Sequence, residues 1–286
     1  MPGLRRRALF RLATNPLYER AILGTPPLRA RAWSAARRYV AGETLQDAVA
    51  VVRALDADGL AASIDLFGEG VTDPAHAARV ADAYVELAGA LDATPPGTWL
   101  SIDLSHIAFD AGHLTRIAAA LPPGRVLQVG AEEAETTDRV QAAVLAAHAQ
   151  GLPVAATLLA NLRRSPLDAR ALAAAGVPVR LVKGAYVEPA AVAHPYGPAT
   201  DAAYAQLART LGAGGGDLYL ATHDDALRAP LLAELPDATC ELLLGIHLDR
   251  ARALAAAGRT VRVYVPFGSD WLRYFLRRRA EAQGTG

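Results

Sequence analysis

The segment Arg180-Leu181-Val182-Lys183-Gly184-Ala185-Tyr186 carries the single lysine of a chain whose other basic side chains are all arginine. A lysine ammonium is compact, shifts its pKa readily and can form Schiff bases, whereas a guanidinium stays charged and forks onto carboxylates. Two chemistries are therefore open within four residues: an amine nucleophile at Lys183, or a fixed cation at Arg180 beside a bound group. Further polar residues follow short apolar runs: Asp65 to Glu69, then Ser101, Asp103, Ser105 and His106, then Asn161, Arg163 and Arg164. Thr222-His223-Asp224, Glu241, and Tyr264 before Pro266-Phe267-Gly268 complete the series. Each has a structural alternative. Asp224 suits a helix N-cap, and His223 suits a buried histidine with its hydrogen bonds met. Near the end, Tyr274, Arg277, Arg278 and Glu281 fall at i, i+3, i+4 and i+7, along one helix face. Two adjacent arginines there can grip a carboxylate, or simply complement the helix dipole.

Other chemistries find no support. None of the seven histidines stands in an H-E-x-x-H or comparable spacing, so no metal site is expected, and there is no G-x-S-x-G elbow. Gly214-Gly215-Gly216 precedes an apolar run instead of following one, the reverse of a dinucleotide fingerprint.

The elements that must position these residues alternate. Apolar runs at Ala61-Leu66, Trp99-Leu104, Arg125-Val129, Val154-Leu158, Val179-Val182, Leu218-Ala221, Cys240-Leu244 and Val261-Val265 read as eight strands. Between them lie alanine- and leucine-rich helical segments with start signals at Asp73-Pro74, Thr136 or Thr137, Ser165-Pro166 and Ser269. Eight strand-helix units predict an α/β fold of the (β/α)8 TIM barrel class, with chemistry at the carboxyl ends of the strands. Ahead of it, residues 1–43 read as arginine-rich helices broken at Asn15-Pro16 and Pro26-Pro27. The barrel domain is expected over 44–286, opening with a Thr44/Asp47 capping box.

The chain holds 29 basic and 29 acidic residues, so no net field favours a nucleic-acid partner. Charges cut every apolar stretch well short of the roughly 20 residues of a membrane helix. Arg11, Glu19 and Arg20 interrupt any signal-peptide core, and the lone Cys240 fits a reducing compartment. The expectation is cytoplasmic, with no transmembrane span.

Several motifs, in order, resemble the proline dehydrogenase family: Arg38 to Thr44, Leu66 to Glu69, Arg180 to Tyr186, Ala221 to Asp224, Tyr264 to Gly268, and Tyr274 through Arg278 to Glu281. The resemblance implies FAD across the strand ends and oxidation of L-proline, or a related imino acid, to Δ1-pyrroline-5-carboxylate by hydride transfer to flavin N5. It implies Arg180 near flavin N5 as a catalytic residue with Tyr264, and cofactor contacts from Val182, Lys183, Gly184, Ala185, Arg164, Thr222, His223, Asp224, Glu241, Arg278 and Glu281. Arg277 and Arg278 would hold the substrate carboxylate, Glu69 would pair with one of them, and Tyr264, Tyr274, Leu243 and Asp103 would line the ring site. A membrane quinone would accept the electrons, with the protein peripheral at the inner membrane surface. The family carries lysine where Asp103 stands and aspartate where Gly130 stands. It carries glutamine and tyrosine at the positions of Leu159 and Asn161, and glutamine at that of Glu241. Two readings stand beside this one: a barrel that binds an amino acid without turnover, and a Schiff-base lyase using Lys183.

Overall fold

The computed structural model describes residues 15–186 and 188–282, apart from the side chains of residues 16, 277 and 280–282. Eight parallel strands close into a barrel in sequence order. They are β1 (Ala61–Leu66), β2 (Trp99–Ile102), β3 (Leu127–Val129), β4 (Val154–Leu159), β5 (Val179–Val182), β6 (Leu218–Ala221), β7 (Thr239–Leu243) and β8 (Val261–Phe267). The ring is closed by β1 against β8, from Ala61↔Arg262 to Leu66↔Phe267. All eight expected strands are present. The second ends two residues before the expected Leu104, because the chain turns at Asp103 into a 3-10 turn over Leu104–Ile107.

Local sequence accounts for the helices that matter to the rim. Helix α3 (Leu45–Ala57) follows α1 (Pro16–Leu23) and α2 (Pro26–Ala36) and opens on the Thr44/Asp47 capping box, with both reciprocal bonds formed. Helix α4 (Pro74–Ala90) is capped by Asp73, with Pro74 at its first position, where the missing N–H costs nothing. Gly216 sits in the turn before β6, where a Cβ would lie 2.3 Å from the carbonyl oxygen of Val177, so this part of the glycine run serves close backbone approach on the barrel floor.

The apolar core lies between strands and outer helices, while the barrel interior is unusually polar. Alternation turns Ser63, Asp65, Arg180, Glu241, Arg262 and Tyr264 inward between outward-facing Ile64, Leu181, Leu242 and Val263. At the floor, Trp99 of β2 meets Tyr219 of β6 edge to face at 4.9 Å, and the Arg262 guanidinium lies 3.5 Å from the centre of the Trp99 ring. A second apolar cluster joins the N-terminal segment to the last helix (Trp271–Ala282). Ala36, Val40, Trp271, Leu272, Phe275 and Leu276 form its centre, with Tyr18, Ile22 and Trp33 against them. Glu43 accepts from Trp271 Nε1 at 3.0 Å and from Arg29 at 2.6 Å, and Arg273 pairs with Glu19 at 2.8 Å. The last helix is thus held over the carboxyl rim by residues the sequence places before the barrel. Among the described residues, no helix is long and apolar enough to cross a membrane.

Candidate active site

A cavity of about 100 Å³ opens at the carboxyl rim between β1, β2, β8 and the last helix. Asp65, Phe67, Glu69, Asp103, Tyr264, Asp270, Arg273 and Tyr274 line it, leaving room for several waters or a small ligand. The aromatic wall is continuous: Phe67 stands 5.1 Å from Tyr274, which stands 6.3 Å from Tyr264. Arg278 lies over the Tyr274 ring at 5.0 Å. The side chains of Arg277 and Glu281, both expected in the site, lie outside the described residues.

Asp65 is the most perturbed acid here. It is only 7 % exposed, accepts from the Tyr264 hydroxyl at 2.8 Å, and has the Tyr84 hydroxyl at 3.5 Å. Burial pushes its carboxyl up to about 6, although Tyr264, Ser101, Arg180 and Tyr84 all favour the charged form. Burial and the same carboxylate push the Tyr264 phenol well above its ordinary range, so it stays protonated. Sequence reasoning placed Asp65 at the end of β1 but gave the acidic role there to Glu69, which is exposed. Strand parity was the available signal, since Ser63 and Asp65 are the polar, inward members of an otherwise apolar run.

Below the cavity, Arg180 donates to Glu241 through Nε and has Ser63 Oγ at 3.5 Å, across the barrel. Glu241 also accepts from Arg262 at 3.4 Å, so one buried carboxylate serves two guanidiniums and the cluster carries a net positive charge beneath the rim. The Arg180 guanidinium lies 5.9 Å from the centre of the Tyr264 ring, which puts this charge directly under the cavity wall.

The β5 and β6 ends face the other side of the rim. Lys183 pairs with Asp201 at 2.6 Å and Asp224 at 2.8 Å. Burial opposes its charge, but the two carboxylates outweigh burial and raise its pKa, the opposite of what a Schiff-base nucleophile needs. Asp224 caps the helix Asp225–Glu234 while holding Lys183, so the cap foreseen as its structural alternative is formed. Thr222 is buried and accepts from the Asp224 N–H at 3.1 Å. Arg164 is bound to Asp138 and Asp168 at 2.6 and 2.8 Å. Val182 packs with Leu159 and Leu162, Ala185 is exposed, and Leu243 is half-buried at the end of β7.

On this side His223 Nδ1 and Asn161 Oδ1 are buried with no hydrogen-bond partner among the described residues. His223 Nε2 accepts from the Leu243 N–H at 3.2 Å, and burial with its cationic neighbours lowers the ring's pKa to about 4. The neutral ring therefore carries its proton on Nδ1, as a donor. Gly184 has φ +109°, and a Cβ there would lie 2.2 Å from Asn161 Oδ1, so only glycine leaves the β4 and β5 loops this close. A buried donor, a buried acceptor and a bare backbone cradle form a donor set that fits a polar cofactor at the β4–β6 ends.

Gly130 resolves one departure noted in the sequence. A Cβ at residue 130 would lie 1.8 Å from Asp103 Oδ1, so the carboxylate just after β2 occupies the space where a side chain just after β3 would begin. Asp103 and the bare Gly130 thus share one space.

A family model described as proline dehydrogenase matches residues 48–285. Proline dehydrogenase of Deinococcus radiodurans is 34% identical over 298 residues, covering 97% of this chain and 94% of that protein. Proline dehydrogenase 1 of Bacillus subtilis strain 168 is 34% identical over 260 residues, covering 86% of each. Among solved structures, proline utilization A from Bdellovibrio bacteriovorus, inactivated by N-propargylglycine, superposes with a TM-score of 0.78 at 18% identity over 99% of this chain and supports the fold. The chain spans 37% of that longer protein. With a match over most of its length and full-length relatives above 30% identity, the chain belongs to the proline dehydrogenase family of oxidoreductases.

Proposed function

We propose that this protein binds FAD across the carboxyl ends of its strands and oxidises L-proline, or a close imino acid, to Δ1-pyrroline-5-carboxylate. The observation that carries the reading is the convergence, on one rim, of the aromatic cavity over the Arg180 cluster and the buried His223 and Asn161 atoms beside it. Bound FAD supplies the acceptor for the hydride leaving the substrate ring. His223 Nδ1–H, Asn161 and the Gly184 backbone hold the cofactor, with Lys183, Asp201 and Asp224 fixing the loops that carry them. Arg180, oriented by Glu241, places a preorganised positive charge where negative charge develops as the cofactor is reduced. Arg277 and Arg278 hold the substrate carboxylate, and Tyr264, Tyr274 and Leu243 enclose its ring and exclude water. Membrane quinone is the proposed electron acceptor, with the protein on the cytoplasmic face. Exposed Leu17 and Leu28, with Arg31 exposed on the same helix as Leu28, support contact of the N-terminal helices with an acidic lipid surface.

The test is direct. Protein purified with excess FAD should be yellow, should reduce a dye with proline, and should be inactivated by N-propargylglycine. A colourless product inert to proline and its analogues would overturn the proposal. Borohydride with a carbonyl substrate should leave no mass adduct on Lys183, because its two carboxylates keep the amine protonated.

A further inference from the structure

The cavity wall contains a hydroxyl whose direction is fixed by a neighbour. Tyr264 has one proton to donate and two lone pairs to offer. It donates to Asp65 Oδ2 at 2.8 Å, so the phenolic oxygen can only accept from whatever enters the cavity that both residues line. Tyr84 supports the arrangement from behind: its hydroxyl donates to the Leu66 carbonyl at 3.1 Å and stands 3.5 Å from Asp65 Oδ1.

We infer that Asp65 is the positioning residue that makes Tyr264 an acceptor toward the rim cavity, selecting a substrate whose ring atom at that point is an N–H donor. The inference rests on the imino-acid reading above and narrows it. A ring nitrogen is chosen over a ring oxygen because only the nitrogen can complete the chain N–H to Tyr264 to Asp65. Protonating Asp65 reverses the chain. The carboxyl then donates to Tyr264, whose own proton turns to the cavity, and a ring oxygen gains a hydrogen bond it otherwise lacks. The groups facing Asp65 are Tyr264 of β8, Ser101 of β2, Arg180 of β5 and Tyr84 of α4. Those facing Tyr264 are Asp65, Tyr274, Asp103 and Arg180. Burial pushes the Asp65 carboxyl up to about 6, within reach of ordinary buffers.

The probe is tetrahydrofuran-2-carboxylate, the ring-oxygen analogue of proline, titrated calorimetrically into the FAD-loaded protein. One hydrogen bond gained is worth about 1.4 kcal/mol, so its affinity should rise about tenfold between about pH 8 and about pH 5. In Asp65→Asn, which cannot titrate, the affinity should stay flat. An affinity independent of pH in the natural protein, or an equal rise in the variant, overturns the inference. A second readout needs no ligand: with 13Cζ-labelled tyrosine, the signal lost in Tyr264→Phe should shift with the protonation of Asp65 and hold still in Asp65→Asn. Failure to bind flavin or the analogue at any pH would count against the proposed function, while the tyrosine signal alone would still decide whether Asp65 sets the hydroxyl; a signal that does not shift overturns it.

Discussion

Asp65 and Glu241 are two buried carboxylates in one barrel with different partners. Glu241 has a guanidinium on each side, whereas Asp65 is bonded by neutral hydroxyls, those of Tyr264, Ser101 and Tyr84, and feels Arg180 only through its charge. Removing Glu241 leaves two buried cations uncompensated, so Glu241→Leu should cost about 3–5 kcal/mol in urea unfolding. For Asp65 the sign runs the other way. Its carboxyl is raised to about 6 from the model-peptide 3.8, so the folded state binds the proton more tightly than the unfolded state between these values. Stability from this group is present below about pH 4 and is lost as pH rises through about 6, on the order of 3 kcal/mol in all. Asp65→Asn should therefore be more stable than the natural protein at neutral pH, with the difference closing as pH falls to about 4. A gap that widens on acidification would refute that account. Strand parity made the inward placement of Arg180 legible in the sequence. What stayed hidden was partnership: nothing in the sequence near Glu241 announces Arg180, 61 positions away.

At the scale of elements, neighbouring strands trade space. The expectation for Asp103 is a change of charge, and for Gly130 the loss of an acid that offsets part of it, both read as electrostatics. The β2–β3 register makes them a steric pair, since Gly130 N–H bonds to the Ile102 carbonyl at 2.8 Å and brings residue 130 against Asp103. Gly130→Ala should swing the Asp103 carboxylate out of its position and raise the KM for proline. In a double-mutant cycle with Asp103→Ala, binding energies should couple by about 0.5–3 kcal/mol, and strict additivity would show that the two sites are independent. The elements themselves were legible because alternation of strand and helix, proline at Pro74 and the Thr44/Asp47 box are local signals. Boundaries moved where tertiary context intervened. The helix signalled at Ser269 begins at Trp271, whose indole answers to Glu43, 228 positions earlier.

At the scale of the molecule, the N-terminal helices act as a clamp on the last helix. Trp271 is fully buried against Trp33 at 5.0 Å and donates to Glu43. Trp271→Ala should cost about 3–5 kcal/mol in thermal unfolding, and proline affinity should fall with it, because the same helix supplies Arg273 and Tyr274 to the cavity. A destabilised variant with unchanged KM would separate the clamp from the site. The cavity has a temporal consequence as well. The Asp65–Tyr264 bond spans 199 positions and belongs to the pairing that closes the ring, so no nascent chain that stops short of β8 can contain it. Contacts of such sequence separation form late and slowly. The Tyr264 signal that follows the protonation of Asp65 is therefore also a clock for barrel closure, and in refolding that pH-responsive signal should appear only with the final, slowest phase.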